Sequence, residues 1–373
     1  MALRTPPLHD EHEALEASFT DFGGWEMPVE FDSIRTEHHA VRTAVGKFDV
    51  SHMGEVEVAG PDATALMQRL TTNDVTALAP CDAQYTMITD DDGVVLDDTV
   101  VYRMPERAPD RSAPGSDAEY LFVPNAGHDA QMHERWTSHA ERWGLDATVE
   151  NATDEYGMVA VQGPDAPATV DRATDADVQD LGRFEATYAS VADVPCWIAN
   201  TGYTGERGFE VVFPADGAGS VWNAFECQPC GLGARDTLRM EMGFLLSGQD
   251  FDPDENPRTP FEAGVGFTVD LETEFVGRDA LAAQAESDPP ETFVGFALEE
   301  RGVPRTGYEI RDEDGDAVGE VTSGTMSPTL DEPIGLGYVS RSAAEAGTSI
   351  RVVVRGEEKR ATIRTLPFLE GYQ

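Results

Sequence analysis

Eleven residues near the first quarter of the chain limit its architecture more than any other stretch. Gly93-Val-Val-Leu-Asp-Asp-Thr-Val-Val-Tyr-Arg103 contains six residues that are Val, Thr or Tyr and fits no helical period, so it reads as a β-strand. Asp97 and Asp98 interrupt its centre. Successive strand residues point to opposite faces, which places one carboxylate on each face of a sheet. At least one face of so apolar a strand is normally buried, and a buried charge without a partner costs several kcal/mol. One acid therefore needs a partner. A ligand cation, a structural arginine, or an edge strand with both acids in water would each answer that need, and the strand pattern alone leaves all three open.

Charge narrows the class of protein. The chain of 373 residues carries 70 acidic against 26 basic residues, a formal net charge of -44. The acids are spread along the chain, as in Asp90-Asp91-Asp92, Asp252–Glu255 and Glu309–Asp316. Such self-repulsion is tolerable where the Debye length shrinks to ~3 Å, in about 1 M salt, so the expectation is a protein of a salt-accumulating microbe. Nucleic-acid binding is not expected, because no basic stripe matches phosphates. The amino terminus has no apolar targeting core and no apolar run approaches the ~18 residues of a membrane span, so a cytoplasmic protein with no membrane partner is expected. Cys81, Cys196, Cys227 and Cys230 form no disulfide framework, and the single C-x-x-C pair lacks a second pair to complete a zinc site, so no metal is expected.

Further along, Ser33 is a plausible cap for a helix reaching Val45, and Gly46 suits its end. Gly60-Pro-Asp-Ala63 and Gly163-Pro-Asp-Ala166 each follow an alternating strand and open a helix, a weak hint of duplication. Ser51 and His52 are neighbours whose side chains diverge, which serves a Ser-His catalytic pair poorly; His52 reads as a turn or core histidine. Glu106–Asp117 reads as an exposed hairpin extension. Glu210 is a second carboxylate at the start of an apolar strand. Gly231-Leu-Gly-Ala-Arg-Asp236 opens a helix without the third glycine of a dinucleotide fingerprint. After Ser287-Asp-Pro-Pro-Glu291 the pattern changes to short strands with Gly turns, an all-β unit.

A carboxylate in such a strand suits an amino-amidine edge like that of a pterin. An arginine suits a ligand carboxylate, and tyrosine a ring face. Asp98, Glu210, Arg235, Tyr102, Tyr203 and Asn125 together would serve an anionic aromatic ligand. Spacing does not place them together, and Arg235 beside Asp236 is equally readable as an ion pair.

Eight motifs in order bear on this. Asp21-Phe-Gly-Gly-Trp-Glu-Met-Pro28, Val41-Arg-Thr-Ala-Val-Gly46, Phe48-Asp-Val-Ser-His-Met-Gly54, Thr72-Asn-Asp74, Thr201-Gly-Tyr-Thr-Gly-Glu206, Gly231–Asp236, Val321-Thr-Ser-Gly324 and Ser327-Pro-Thr-Leu330 resemble the T protein of the glycine cleavage system, a tetrahydrofolate-dependent aminomethyltransferase. The resemblance implies an α+β, three-domain cloverleaf: a discontinuous β-rich folate-binding domain over 1–50 and 151–275, a ferredoxin-like α+β domain over 51–150, and a C-terminal antiparallel barrel or jelly-roll-like domain over 290–373. It implies transfer of the methylene of S-aminomethyl-dihydrolipoyl protein to tetrahydrofolate, with ammonia released. The partner would be the lipoyl-bearing H protein, with the glycine-decarboxylating and dihydrolipoyl dehydrogenase components engaged indirectly. By motif, Asp98 matches the catalytic aspartate and Glu210 the carboxylate on the pterin edge. Arg235 matches the folate-site arginine, and Tyr102, Asn125, Tyr203 and Met53 match folate-lining positions. The chain departs from the family at Asn200, where an arginine is common, at Phe244, where some members have tyrosine, and in a long Glu106–Asp117 loop. A same-fold folate-dependent demethylase and a non-enzymatic folate-binding iron–sulfur assembly factor are the competing readings. On this resemblance Asp98 should face the folate channel and Asp97 should be a structural or solvated neighbour.

Overall fold

In a computed structural model, the chain is described over residues 2–371 except 107, 109 and 370. Three sheets follow from its strands, with a hairpin of Ser18–Phe22 and Trp25–Glu30 beside them. Gly23 and Gly24, at φ +59° and +85°, make the hairpin turn in the left-handed region that glycine enters without penalty.

The first sheet has six strands in the order Ala186–Val191, Val194–Ala199, Gly208–Pro214, Tyr156–Gln162, Gly46–Asp49 and Gln228–Cys230. Only its last pair is parallel. Alternation along Tyr156–Gln162 feeds two cores. Val159 and Val161 pack with Val170, Val221 and Trp222 from the helices Ala166–Ala173 and Ala218–Ala224. Met158 and Ala160 pack on the other face with Ala234 and Leu238 of the helix Leu232–Met242, and with Tyr102, Leu121 and Val123 of the second sheet. Both sheets thus share one core, and the seam between them is where a cavity can form.

The second sheet is antiparallel, in the order Ala83–Thr89, Val95–Arg103, Tyr120–Val123, Val56–Ala59 and Thr148–Asn151. The helices Ala63–Leu70 and Asp129–Trp143 cover one face, where Trp136 is fully buried and stacks on Phe122 at 4.5 Å. Burial of a side chain that large contributes about 2–3 kcal/mol. The two Gly-Pro-Asp-Ala segments lie in different sheets, each after a strand, with Gly60 and Gly163 at φ +111° and +132°.

The third sheet is a closed barrel in the order Glu291–Leu298, Glu332–Ser340, Ala317–Ser327, Glu309–Arg311, Ser349–Val354 and Glu357–Arg364. A buried polar network ties it to the rest. Arg239, on the helix Leu232–Met242, donates to Ser323 Oγ (2.8 Å) and Asp250 Oδ2 (2.6 Å). Glu241 accepts from Ser327 Oγ at 2.5 Å and from Arg42 Nη2 at 2.9 Å. Burial works against its charge, yet bonds from His38 and Ser327 and the Arg42 guanidinium hold its carboxyl down to about 2. The Val321–Gly324 and Ser327–Leu330 motifs are therefore the barrel's polar attachment.

Two expectations need correction. The Glu106–Asp117 segment is not simply exposed: Ala113 is buried, Gly115 N–H donates to Glu57 Oε1 (2.9 Å), and Tyr188 donates to the Pro114 carbonyl (2.8 Å). Residues 107 and 109 of that segment lie outside the described residues. The helix capped by Ser33 spans Ile34–Thr43 and stops short of Val45, and Gly46 does not close it but opens the strand Gly46–Asp49. No helix among the described residues is long and apolar enough to cross a membrane.

Candidate active site

Asp98, Val100 and Tyr102 alternate along Val95–Arg103 and point into a cavity of about 1630 Å³ between the first two sheets and the barrel. Met53, Asn125, Tyr203, Glu210 and Arg235 line the same cavity, so all seven residues matched by motif to the family's site reach it. A second cavity of about 1470 Å³ lies on the barrel, between Arg301, Arg305, Arg355 and Arg364, and contains none of them.

Each carboxylate is set by its neighbours. Asp98 Oδ2 accepts from Tyr85 OH at 2.5 Å, and Asp98 Oδ1 accepts from Asn125 Nδ2 at 2.6 Å. Burial and the adjacent Asp97 charge push its carboxyl up to about 6, against the opposing pull of these two donors. Glu210 Oε2 accepts from Thr201 Oγ1 at 2.5 Å, and Thr201 in turn lies 3.5 Å from Tyr102 OH. Burial raises the Glu210 carboxyl above the ordinary glutamate value.

Arg235 is not paired with its neighbour. Asp236 is taken by Arg239, whose Nε donates to it at 2.8 Å. The Arg235 guanidinium instead lies 4.2 Å over the Tyr203 ring, with no ion pair among the described residues. Burial lowers its affinity for its proton, an environment that favours an incoming anion. Tyr203 is fixed by a hydrogen bond from its hydroxyl to the Leu245 carbonyl and by stacking with Phe244 at 5.8 Å. At the departures from the family, Phe244 therefore supports Tyr203, and Asn200 donates to the Leu181 carbonyl at 2.8 Å.

Asp97 departs from part of its expectation. It faces away from the cavity but is not solvated: its exposure is 0 %. Its oxygens accept from Asn125 N–H (3.1 Å) and Asn125 Nδ2 (2.7 Å), and His128 Nδ1 lies 3.1 Å from Oδ2. Asn125 thus touches both acids rather than only lining the cavity.

Tyr85 and Thr201 escaped the reading of the sequence. Tyr85 was findable in principle. The turn at Asp90–Gly93 pairs Met87 with Asp98, so Tyr85, two residues before Met87, shares the face of Asp98. Thr201 sits in the Thr-Gly-Tyr motif, but its reach to Glu210 depends on strand register across two separate segments. His52 is fully buried with neither ring nitrogen partnered among the described residues, and burial lowers it to about 3, so it is neutral. All four cysteines are free thiols.

Sequence profiles of the GCVT N-terminal domain and of the glycine cleavage T-protein C-terminal barrel domain match residues 8–273 and 292–370. A probable aminomethyltransferase of Halobacterium salinarum is 64% identical over 373 residues, covering 99% of this chain and 100% of the relative. One of Haloarcula marismortui is 61% identical over 370 residues, with the same coverage. The crystal structure of the glycine cleavage system aminomethyltransferase T from Bartonella henselae superposes with a TM-score of 0.89 at 28% identity, covering 99% of each chain. The chain belongs to the glycine cleavage T-protein family of aminomethyltransferases.

Proposed function

We propose that the central cavity binds tetrahydrofolate as co-substrate and that the protein transfers the methylene of an aminomethyl-dihydrolipoyl arm, carried by an H protein, to it with release of ammonia. The observation that carries this reading is the convergence of Asp98, Glu210 and Arg235 on one cavity. The donor set fits the ligand. Arg235 is a partly buried cation without a carboxylate partner among the described residues and suits the glutamyl end. Glu210, held by Thr201 through one oxygen, offers the other to the amino-pyrimidinone edge. Tyr102, Tyr203 and Met53 supply ring and apolar contact around these two anchors.

Tetrahydrofolate supplies the nitrogens that accept the one-carbon unit. The chain's contribution is positioning and charge. Asp98 is held by Tyr85 and Asn125, so its carboxylate needs no reorganisation during transfer. Titrating near about 6, it is mostly ionised at neutral pH. There it stabilises positive charge developing at the reacting nitrogen and carbon, and burial strengthens that interaction. We take residues 1–50 with 151–275, 51–150 and 290–373 as three domains, in keeping with the sheets described above. A cytoplasm rich in salt is the setting that suits the acidic surface.

The test is ammonia release from aminomethylated lipoyl protein in molar KCl, with and without tetrahydrofolate. The expected result is release that depends on tetrahydrofolate. Release at the same rate without it would overturn the reading.

A further inference from the structure

Behind Asp98, on the side away from the cavity, lies a histidine that the transfer itself does not use. Asn125-Ala-Gly-His128 is a turn closed by His128 N–H to the Asn125 carbonyl (3.0 Å), with Gly127 at φ +77°. A Cβ at Gly127 would meet the Gly23 carbonyl oxygen at 2.7 Å, so the turn has little room to change. The turn brings two side chains to one buried acid: His128 Nδ1 and the Asn125 amide both reach Asp97. The Asn125 amide nitrogen also reaches Asp98 Oδ1 at 2.6 Å and the Asp98 carbonyl at 3.0 Å. His128, Asp97, Asn125 and Asp98 therefore form a chain of contacts from the surface to the cavity, with the His128 side chain 29% exposed at its outer end.

We propose that His128 is a positioning residue whose imidazolium neutralises Asp97 and, through the Asn125 amide shared by both acids, fixes the orientation and charge state of Asp98. This rests on the reading of Asp98 given above. The charged groups facing His128 are all acidic: Asp97 and Asp98 from the strand, and Asp252 from the segment after Gly243. Asp129, the next residue, is engaged by Arg4 at 3.1 Å. The Asp97 carboxylate, 3.1 Å from Nδ1, raises the His128 imidazole above its ordinary value, although burial opposes this. With the cation present, two adjacent carboxylates can be ionised together. Without it, Asp97 keeps an uncompensated buried charge and Asp98 takes up its proton at a higher pH.

The experiment uses the full chain in molar KCl and follows ammonia release from aminomethylated lipoyl protein at saturating tetrahydrofolate against pH. His128→Gln is expected to move the acidic limb of kcat upward by about 0.5–1 pH unit, with little change at high pH. His128→Lys, which restores the charge, is expected to return it towards the wild-type position. A merely structural role would lower kcat by one factor at every pH and leave the limb in place, and that result overturns the inference. Should His128→Gln fail to fold, the His128 titration is read by NMR in the wild-type protein. An ordinary imidazole titration there would equally overturn it. If Asp98→Asn turns over near the wild-type rate, the assignment of Asp98 itself fails. If Asp98→Asn is inactive and the limb does not move in His128→Gln, only the role of His128 fails.

Discussion

Replacing Arg239 by Met separates a buried ion pair from a surface one in the same molecule. Both Arg239 and Asp250 are 0 % exposed. The guanidinium donates to Asp250 (2.6 Å), Ser323 (2.8 Å), Asp236 (2.8 Å) and the Phe244 carbonyl (2.9 Å), which joins a helix, a cavity loop and the barrel. Removal leaves the Asp250 charge buried, still accepting from Leu246 N–H (2.9 Å), Ser323 Oγ (2.8 Å) and the Thr322 hydroxyl. Breaking a buried pair typically costs about 3–5 kcal/mol, and the three remaining donors place this one near the lower end, ~3 kcal/mol. Asp250→Asn, which leaves the buried arginine only the half-exposed Asp236 as an ionic partner, should also destabilise, by less than Arg239→Met. The double replacement Arg239→Met with Asp250→Leu should be less destabilised than the sum of the two, because no fully buried charge is left unpaired and the Asp236 carboxylate that loses its partner is half exposed. The control is Arg341–Asp288, whose side chains are 53% and 76% exposed and whose loss should register about 0.5 kcal/mol or less. The assay is equilibrium urea unfolding at fixed molar KCl. A loss under ~1 kcal/mol for Arg239→Met would refute the view that this pair fastens the barrel to the helix Leu232–Met242.

The remaining expectations concern the site and the surface. Arg235→Gln removes a charge-assisted contact of about 1.5–3 kcal/mol and should weaken tetrahydrofolate binding roughly 10- to 150-fold by titration calorimetry; a change below about threefold would remove Arg235 from the binding set. Tyr85→Phe deletes the 2.5 Å bond that favours ionised Asp98, so the acidic limb of kcat should rise above about 6, and a limb that falls or stays would contradict the assigned sign. For a net charge of -44, thermal stability should fall steeply as KCl is diluted from molar to about 0.1 M, where screening lengths grow from ~3 to ~10 Å. A melting temperature independent of KCl would refute the salt-adapted reading of that surface.

Acidic residues in apolar strands were the most legible part of the site. Asp98 and Glu210 stood out because a carboxylate in such a strand needs a partner, and both line the cavity. The barrel was legible from its Gly turns and short strands. Arg235 was ambiguous, since its neighbour Asp236 could have claimed it. What decided the matter was Arg239 one helical turn on, which occupies Asp236. Period-two alternation assigned Asp97 to the opposite face but carried no information about what covers that face. Its burial depends on the turn at Asn125–His128, nearly thirty residues later in the chain. The Glu106–Asp117 segment misled because a composition of Pro, Ala, Asp and Gly describes a loop's flexibility in isolation. Glu57 and Tyr188 hold it down from two different sheets.

The central claim is that Asp98 acts on the reacting atoms rather than on folding or on ligand capture. Asp98→Asn, assayed for ammonia release from aminomethylated lipoyl protein and for tetrahydrofolate binding in the same molar KCl, tests it directly. The expected result is an unchanged unfolding transition and near-normal tetrahydrofolate affinity, with turnover reduced by about 10²–10³. Ammonia release close to the wild-type rate would contradict it.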